Sequence, residues 1–319
     1  MYFLSVGFFV HIEALKLGLR PLSKEEIPEL KRVMKEGANF LIPVALLVIL
    51  LIKGFTPTYA ACVGIGSIVV MSWFRKETRM GPKEILDALY MGARNSISTA
   101  AILICTGIVI GIVGITAVGV KFSGMVVDLS GGHLFWAIVL VMLASLVLGM
   151  GLPVTASYIF LAVLAAPALK QLGVSLLAAH MIIFWYSQDA NVTPPVCLAA
   201  YSAAGIASSK PMQTGFLAWK LAKGLYIIPF LFAYTPLLFE GPTLQVLTTA
   251  VSATFGLFAF TVLTEGFFLR KLRPWEGALA AAATLGLLWP EEVPRVLGFC
   301  LLALLWVLQR RGSPRAYET

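Results

Sequence analysis

Gly149-Met150-Gly151-Leu152-Pro153-Val154-Thr155-Ala156-Ser157-Tyr158 is a small-residue break set between two apolar runs. About thirty residues on, Ser187-Gln188-Asp189-Ala190-Asn191-Val192-Thr193-Pro194-Pro195-Val196 places polar residues and a proline pair where an apolar segment should be greasiest. In hydrocarbon, unpaired backbone and polar side chains survive only where protein or a wet cavity surrounds them. Two broken segments of this kind, meeting near the middle of a bilayer, are how many secondary transporters hold a solute and its coupling ion. These two stretches therefore decide the reading of the whole chain.

The composition around them is that of a membrane protein. Of 319 residues, 59% are hydrophobic and 13% charged, and mean hydropathy is +0.89. A soluble domain carries roughly a quarter charged residues. At roughly 20 residues per span, the length accommodates about eight to ten membrane segments. The four cysteines, Cys62, Cys105, Cys197 and Cys300, lie singly in apolar runs, and the three histidines are scattered, so neither a disulfide framework nor a metal cluster is expected. There is no nucleophile–histidine pairing and no phosphate-binding loop, so the chain reads as a non-enzyme with no cofactor beyond Na⁺ or H⁺ as a coupling ion.

Working outward from the breaks, Leu134 to Leu148 and Tyr158 to Leu169 form two arms, each about 15 residues or fewer, short for a full crossing. Their connection carries no charge, which predicts a re-entrant hairpin. Ala178 to Tyr186, the second break and Val196 to Ile206 form a broken helix. Residues 134–212 are thus the transport-type segment. Residues 38–133 read as scaffold-type helices: the pair Phe40–Ile52 and Tyr59–Phe74, an interfacial helix from Pro82 to Arg94, and a span from Ile97 to Val118. Gly107, Gly111 and Gly114 in that span suit close helix packing, and Lys121 to His133 reads as a polar loop. Residues 1–37 combine the end of a helix, Met1 to Leu19, with an amphipathic helix whose Ser23 and Glu26 have the form of a capping box. Residues 213–319 supply four further spans, Phe216–Tyr234, Leu244–Leu269, Trp275–Leu288 and Val296–Leu308, and a polar tail.

Charge orients this arrangement. With both termini cytoplasmic, 20 of the 24 basic residues lie on the inner side and only Lys53, Lys121, Lys170 and Arg295 on the outer. That is the positive-inside asymmetry of a multi-pass inner-membrane protein. It accounts for the net charge of +8 without nucleic acid. Lys220 and Lys223, one helical turn apart, read as snorkelling side chains.

The breaks carry the candidate site. Gly149 and Gly151 let the backbone unwind so that carbonyl oxygens face a cation, and Pro153 stops the first arm. Met150, Thr155, Ser157 and Ser187 are candidate substrate contacts, since a half-helix starting here points free N–H groups and a positive dipole end at a carboxylate. Asn191, Thr193 and Pro194, with Asp189, are candidate ion ligands: the prolines free carbonyls and the side chains add oxygens. Asp189 is the one acid deep inside an apolar segment; Glu265 and Glu276 sit near span ends. The plainer reading of Asp189 is a structural partner of Gln188, Asn191 or a neighbouring helix.

The series Gly149-Met150-Gly151-Leu152-Pro153, Ser157-Tyr158, Pro167-Ala168-Leu169, Ala178-Ala179-His180, Thr193-Pro194-Pro195-Val196 and Ala199-Ala200-Tyr201 resembles the C-terminal half of the large membrane subunit of TRAP (tripartite ATP-independent periplasmic) transporters. With Ala203-Ala204-Gly205-Ile206-Ala207 and Pro211-Met212-Gln213-Thr214-Gly215-Phe216, it is most similar to the fused permeases of the TAXI subgroup. The resemblance implies an all-α polytopic protein holding the second inverted repeat of an elevator-type fold, with one re-entrant hairpin, one broken helix and extra C-terminal spans. It implies Na⁺-coupled import of organic acids such as dicarboxylates or amino acids, fed by a periplasmic TAXI-type substrate-binding protein alongside a small membrane subunit. The first repeat, with its own hairpin and proline break, is not found in these residues. A second polypeptide carrying it is therefore expected, the alternative being a truncated, non-transporting scaffold.

Overall fold

The structure, a computed structural model, describes residues 1–19, 27, 29–74, 78–150, 152 and 154–311. Among them it is helical, with one isolated antiparallel bridge between Phe267 and Lys271. The chain divides into two compact units, residues 20–101 and residues 1–19 with 102–319.

The smaller unit holds α2 (Leu30–Gly37), a 3₁₀ turn (Ala38–Phe40), α3 (Leu41–Ile52), α4 (Pro57–Ser72) and the first part of α5 (Pro82–Ile115). α3 and α4 pair as a hairpin through Gly54, whose φ of +83° suits only glycine without strain. Thr56 then caps α4, accepting from Tyr59 N–H at 3.3 Å, with Pro57 in the first turn where no N–H is needed. The expected capping pair Ser23 and Glu26 lies outside the described residues.

In the larger unit, α1 (Tyr2–Lys16) packs on α13 (Thr243–Glu265) and on α12 (Gly224–Tyr234). Two expectations are corrected here. The interfacial helix and following span are one 34-residue helix, α5. The stretch Lys121–His133 is not a polar loop, because Val118–Leu129 is helical (α6) after a 74° bend at Ala117. α6 buries Gly119, Ser123 and Val126, a helical face made of small residues that hydropathy does not register. That face packs on α8 (Val154–Gln171), where Ser123 Oγ donates to Leu164 O at 2.6 Å. Gly107, Gly111 and Gly114 have no packing neighbour at Cβ distance within their unit.

α7 (Leu134–Leu148), α8 and α9 (Leu176–Tyr186) form the centre of the unit around Ile138, Val141, Leu161, Leu169, Ile182 and Ile183, all fully buried. Ser175 caps α9, accepting from Ala178 N–H at 3.1 Å. The second arm of the hairpin starts at Val154 rather than Tyr158 and runs for 18 residues, long enough for a crossing by itself. The helix at Ala178–Tyr186 does break, and resumes as α10 (Leu198–Ile206). α11 (Pro211–Leu221) and α12 form one apolar stretch of 24 residues with a short interruption at Ala222 and Lys223.

Three further helices complete the unit: α13, α14 (Pro274–Leu288) and α15 (Glu292–Arg311). Their crossings rely on missing side chains. A Cβ at Gly286 would sit 2.7 Å from Pro294 O, and one at Gly298 2.7 Å from Leu287 N, so α14 and α15 approach backbone to backbone. At the turn before α14, Arg270 holds Glu276 with both arms (3.0 and 2.6 Å), and Gln309 of α15 donates to the same carboxylate at 2.8 Å. Glu276 is fully buried, so these donors replace its lost water. Among the described residues four helices are long and apolar enough to cross a membrane, and the bent α5–α6 pair makes a fifth, with shorter apolar helices besides. The chain is an all-α polytopic membrane protein.

Candidate functional site

The two breaks come together in the larger unit. A Cβ built at Gly149 would lie 3.0 Å from Ser157 Oγ and 3.8 Å from Ala190 Cβ, so the end of α7, the first turn of α8 and the second break flank one point. Gly149 itself has ordinary helical angles (φ −81°, ψ −11°), and its carbonyl accepts from Leu152 N–H at 3.3 Å. The expectation that it unwinds to aim its carbonyl at a cation is thus corrected. Glycine suits the position because a Cβ would stand 2.7 Å from Ser145 O and 3.0 Å from Ser157 Oγ, with Ala190 at ordinary contact distance. Gly151 and Pro153 lie outside the described residues.

The second break is a short 3₁₀ turn, Asp189–Asn191, entered from α9 and left through the proline pair. The chain folds here because α9 runs out of helix-compatible residues before Pro194. Asp189 O then accepts from both Val192 N–H (3.2 Å) and Thr193 N–H (2.9 Å), and Thr193 O accepts from Cys197 N–H at 3.2 Å. Tyr201 Oη donates to Pro195 O at 2.9 Å. Those three main-chain oxygens have donors, but among the described residues none is found for Ala190 O or Asn191 O, the carbonyls that Pro194 and Pro195 leave free.

Among the described residues, two side chains of the breaks are also buried without hydrogen-bond partners. Asp189 is fully buried, and among the described residues neither of its carboxyl oxygens has a hydrogen-bond partner. Ser157 is also buried, with its Oγ unpartnered. The plainer reading of Asp189 as a partner of Gln188 does not describe this arrangement. The Gln188 amide instead donates to Phe184 O at 3.4 Å and Ser187 Oγ at 3.3 Å. A buried carboxylate with nothing bonded to it is stable only beside a cation or carrying a proton.

The other candidates separate into two groups. Thr193 is buried, and its Oγ1 is 2.6 Å from Tyr226 Oη. Ser187 is buried and donates to Phe184 O at 2.6 Å. Asn191 and Pro194 are half-buried. Met150, after α7, and Thr155, in the first turn of α8, are exposed.

Two sets of residues escaped the sequence reading. Tyr226, on α12, faces the break through Thr193, and its carbonyl accepts from Tyr186 Oη at 3.3 Å. The signal was available: a tyrosine just after the interruption at Ala222–Lys223, in a segment otherwise apolar. The second set corrects the snorkelling reading of Lys220. Its Nζ lies 2.7 Å from both Glu13 Oε2 and Glu265 Oε2, and Lys16 Nζ is 3.3 Å from Glu265 Oε2. Lys223 Nζ stands 5.9 Å from the centre of the Phe9 ring.

The family model for the tripartite ATP-independent periplasmic transporter, DctM component, matches residues 1–239. No curated protein and no solved structure matches the chain.

Proposed function

The chain belongs to the DctM component family of tripartite ATP-independent periplasmic transporters, the membrane component of a secondary transporter, and from that premise we propose that it imports an organic acid in symport with a cation held between its two breaks. The observation that carries this is three buried, unpartnered oxygens, two of the Asp189 carboxyl and one of the Ser157 hydroxyl, on two elements that approach each other at Gly149. Na⁺ is the cation this set suits, because it takes oxygen ligands and supplies the charge that a dehydrated Asp189 needs. Substrate carboxylate would lie on the exposed side of the same point, at the N-terminal turn of α8 beside Met150 and Thr155. Movement of residues 134–212 as an elevator, delivery by a periplasmic TAXI-type binding protein, and cooperation with a small membrane subunit and with a first-repeat segment on this or another polypeptide complete the proposal. The inner-membrane location with cytoplasmic termini rests on the 20-to-4 division of basic residues.

The test is ion-dependent stability of the purified protein, which needs neither substrate nor partner. A ligand at 100 times its Kd stabilises the folded state by about 2.7 kcal/mol. Na⁺ should therefore raise the melting temperature where equimolar choline does not, and Asp189→Asn should abolish the difference. Full Na⁺ stabilisation of Asp189→Asn would remove the acid from the cation site. A wild-type response to pH and none to Na⁺ would make the proton the coupling ion.

A further inference from the structure

Apart from the two breaks, α12, α13 and α14 line a cavity of about 750 Å³ that includes none of the proposed site residues. Its walls are apolar: Phe135 at the start of α7, Phe230 of α12, Phe260 of α13, and Ala281 and Leu285 of α14, with Trp289 just beyond. Thr284 also lines it, but its hydroxyl is engaged by Ala280 O at 2.8 Å. The cavity runs along the helices, from Ile227 near the start of α12 and Leu263 near the end of α13 to a mouth at Tyr234, which ends α12, and Leu288, which ends α14. Tyr234 and Trp289, 42% and 50% exposed, form its rim, the place where such rings sit at a membrane interface.

Water gains nothing in such a lining, and a polar solute would find no converging donors. A spanning helix is too large. At about 30 Å long and 10 Å across, it fills on the order of 2,400 Å³, about three times the space present. A single hydrocarbon chain is slender enough. Beside the rim, Arg295 on the first turns of α15 donates from Nε to Trp289 O at 2.8 Å and is 8% exposed, so its guanidinium is fixed in place next to the mouth. Glu291 and Glu292, both exposed, stand one turn before it. A fixed guanidinium recognises a phosphate, while two carboxylates beside it favour a headgroup that also bears an ammonium.

We propose that this cavity holds one acyl chain of a zwitterionic phospholipid of the phosphatidylethanolamine type, whose phosphate meets Arg295 and whose ammonium faces Glu291 and Glu292. Because half of the walls belong to helices beyond residue 239, where the family match ends, the lipid would act as a filler between the family's body and these added helices.

The test is native mass spectrometry of the full-length protein in mild detergent, titrated with phosphatidylethanolamine and, separately, phosphatidylglycerol. Phosphatidylethanolamine should be retained at least ten-fold more tightly than phosphatidylglycerol. Ala281→Trp, which fills the cavity, and Arg295→Gln, which removes the phosphate ligand, should each lower its retention about ten-fold. Quenching of tryptophan fluorescence by phosphatidylethanolamine brominated on its acyl chain gives a reading on the unaltered cavity. That quenching should shrink in Trp289→Phe. Equal retention of the two lipids, unchanged retention in both cavity variants, or quenching indifferent to Trp289 would overturn the proposal.

Discussion

Gly149→Ala puts two opposing effects in competition, and the geometry says which wins. At ordinary helical angles, replacing glycine by alanine restricts the unfolded chain and stabilises by about 0.4–1 kcal/mol, and φ here is −81°. The new methyl, however, would stand 2.7 Å from Ser145 O, 3.0 Å from Ser157 Oγ and 3.8 Å from Ala190 Cβ. Ser157 can turn its hydroxyl away. Ser145 O cannot move freely, because it accepts from Gly149 N–H at 2.8 Å. Relief therefore requires the segment to shift by several tenths of an ångström, and overpacking of this kind costs about 1–3 kcal/mol. The net expectation is a loss of about 1–2 kcal/mol, or a melting temperature lower by roughly 2–8 °C on the scale of a domain this size. Because Ser157 and Ala190 would be displaced, stabilisation by Na⁺ should fall in the same variant. Combining the change with Ser157→Ala removes the 3.0 Å contact only, so recovery should be partial. Thermal unfolding in detergent, with and without Na⁺, measures both quantities. A Gly149→Ala protein that melts higher than the wild type would show that Ser145 O and Ser157 Oγ do not crowd this position.

Two further outcomes follow from contacts elsewhere in the same unit. Thr193→Val and Tyr226→Phe each remove one side of a 2.6 Å hydroxyl pair and should cost about 1 kcal/mol apiece; the double variant should cost clearly less than their sum, and strict additivity in melting measurements would mean the pair is not formed. Glu265→Gln takes the shared acid from Lys220 and Lys16, held at 2.7 and 3.3 Å. Truncating a buried pair costs about 3–5 kcal/mol, but these lysines keep 30% and 40% of their exposure, so about 1–3 kcal/mol is expected. A melting temperature identical to the wild type would leave the cluster without a structural role.

The two interruptions are legible because small and polar residues followed by Pro153 or by the Pro194–Pro195 pair disfavour a continuous helix locally, although Pro167 and Pro229 lie inside helices. What each residue then does depends on neighbours far along the chain. Gly149 was read for backbone freedom, yet its value lies in the nearness of Ser145 O and Ser157 Oγ. The buried carboxyl of Asp189 and hydroxyl of Ser157, both without partners among the described residues, come together only through the fold. The polar-loop expectation for Lys121–His133 follows Lys121, Asp128 and the Gly131-Gly132 turn, whereas the helix is held by the packing of Gly119, Ser123 and Val126, a long-range contact that local charge does not reveal. Lys220 looked like an ordinary interfacial lysine. Its two acids come from positions 13 and 265, a meeting that no local pattern announces.

That meeting has a consequence for transplantation. Within the family-matched segment this cluster contains Lys16, Lys220 and a single acid, Glu13, and so bears a surplus positive charge. The balancing carboxylate arrives only with α13. A chimera that ends near residue 239, or that grafts these last helices onto a different relative, would have to rewrite positions 16 or 220 at the seam to restore neutrality.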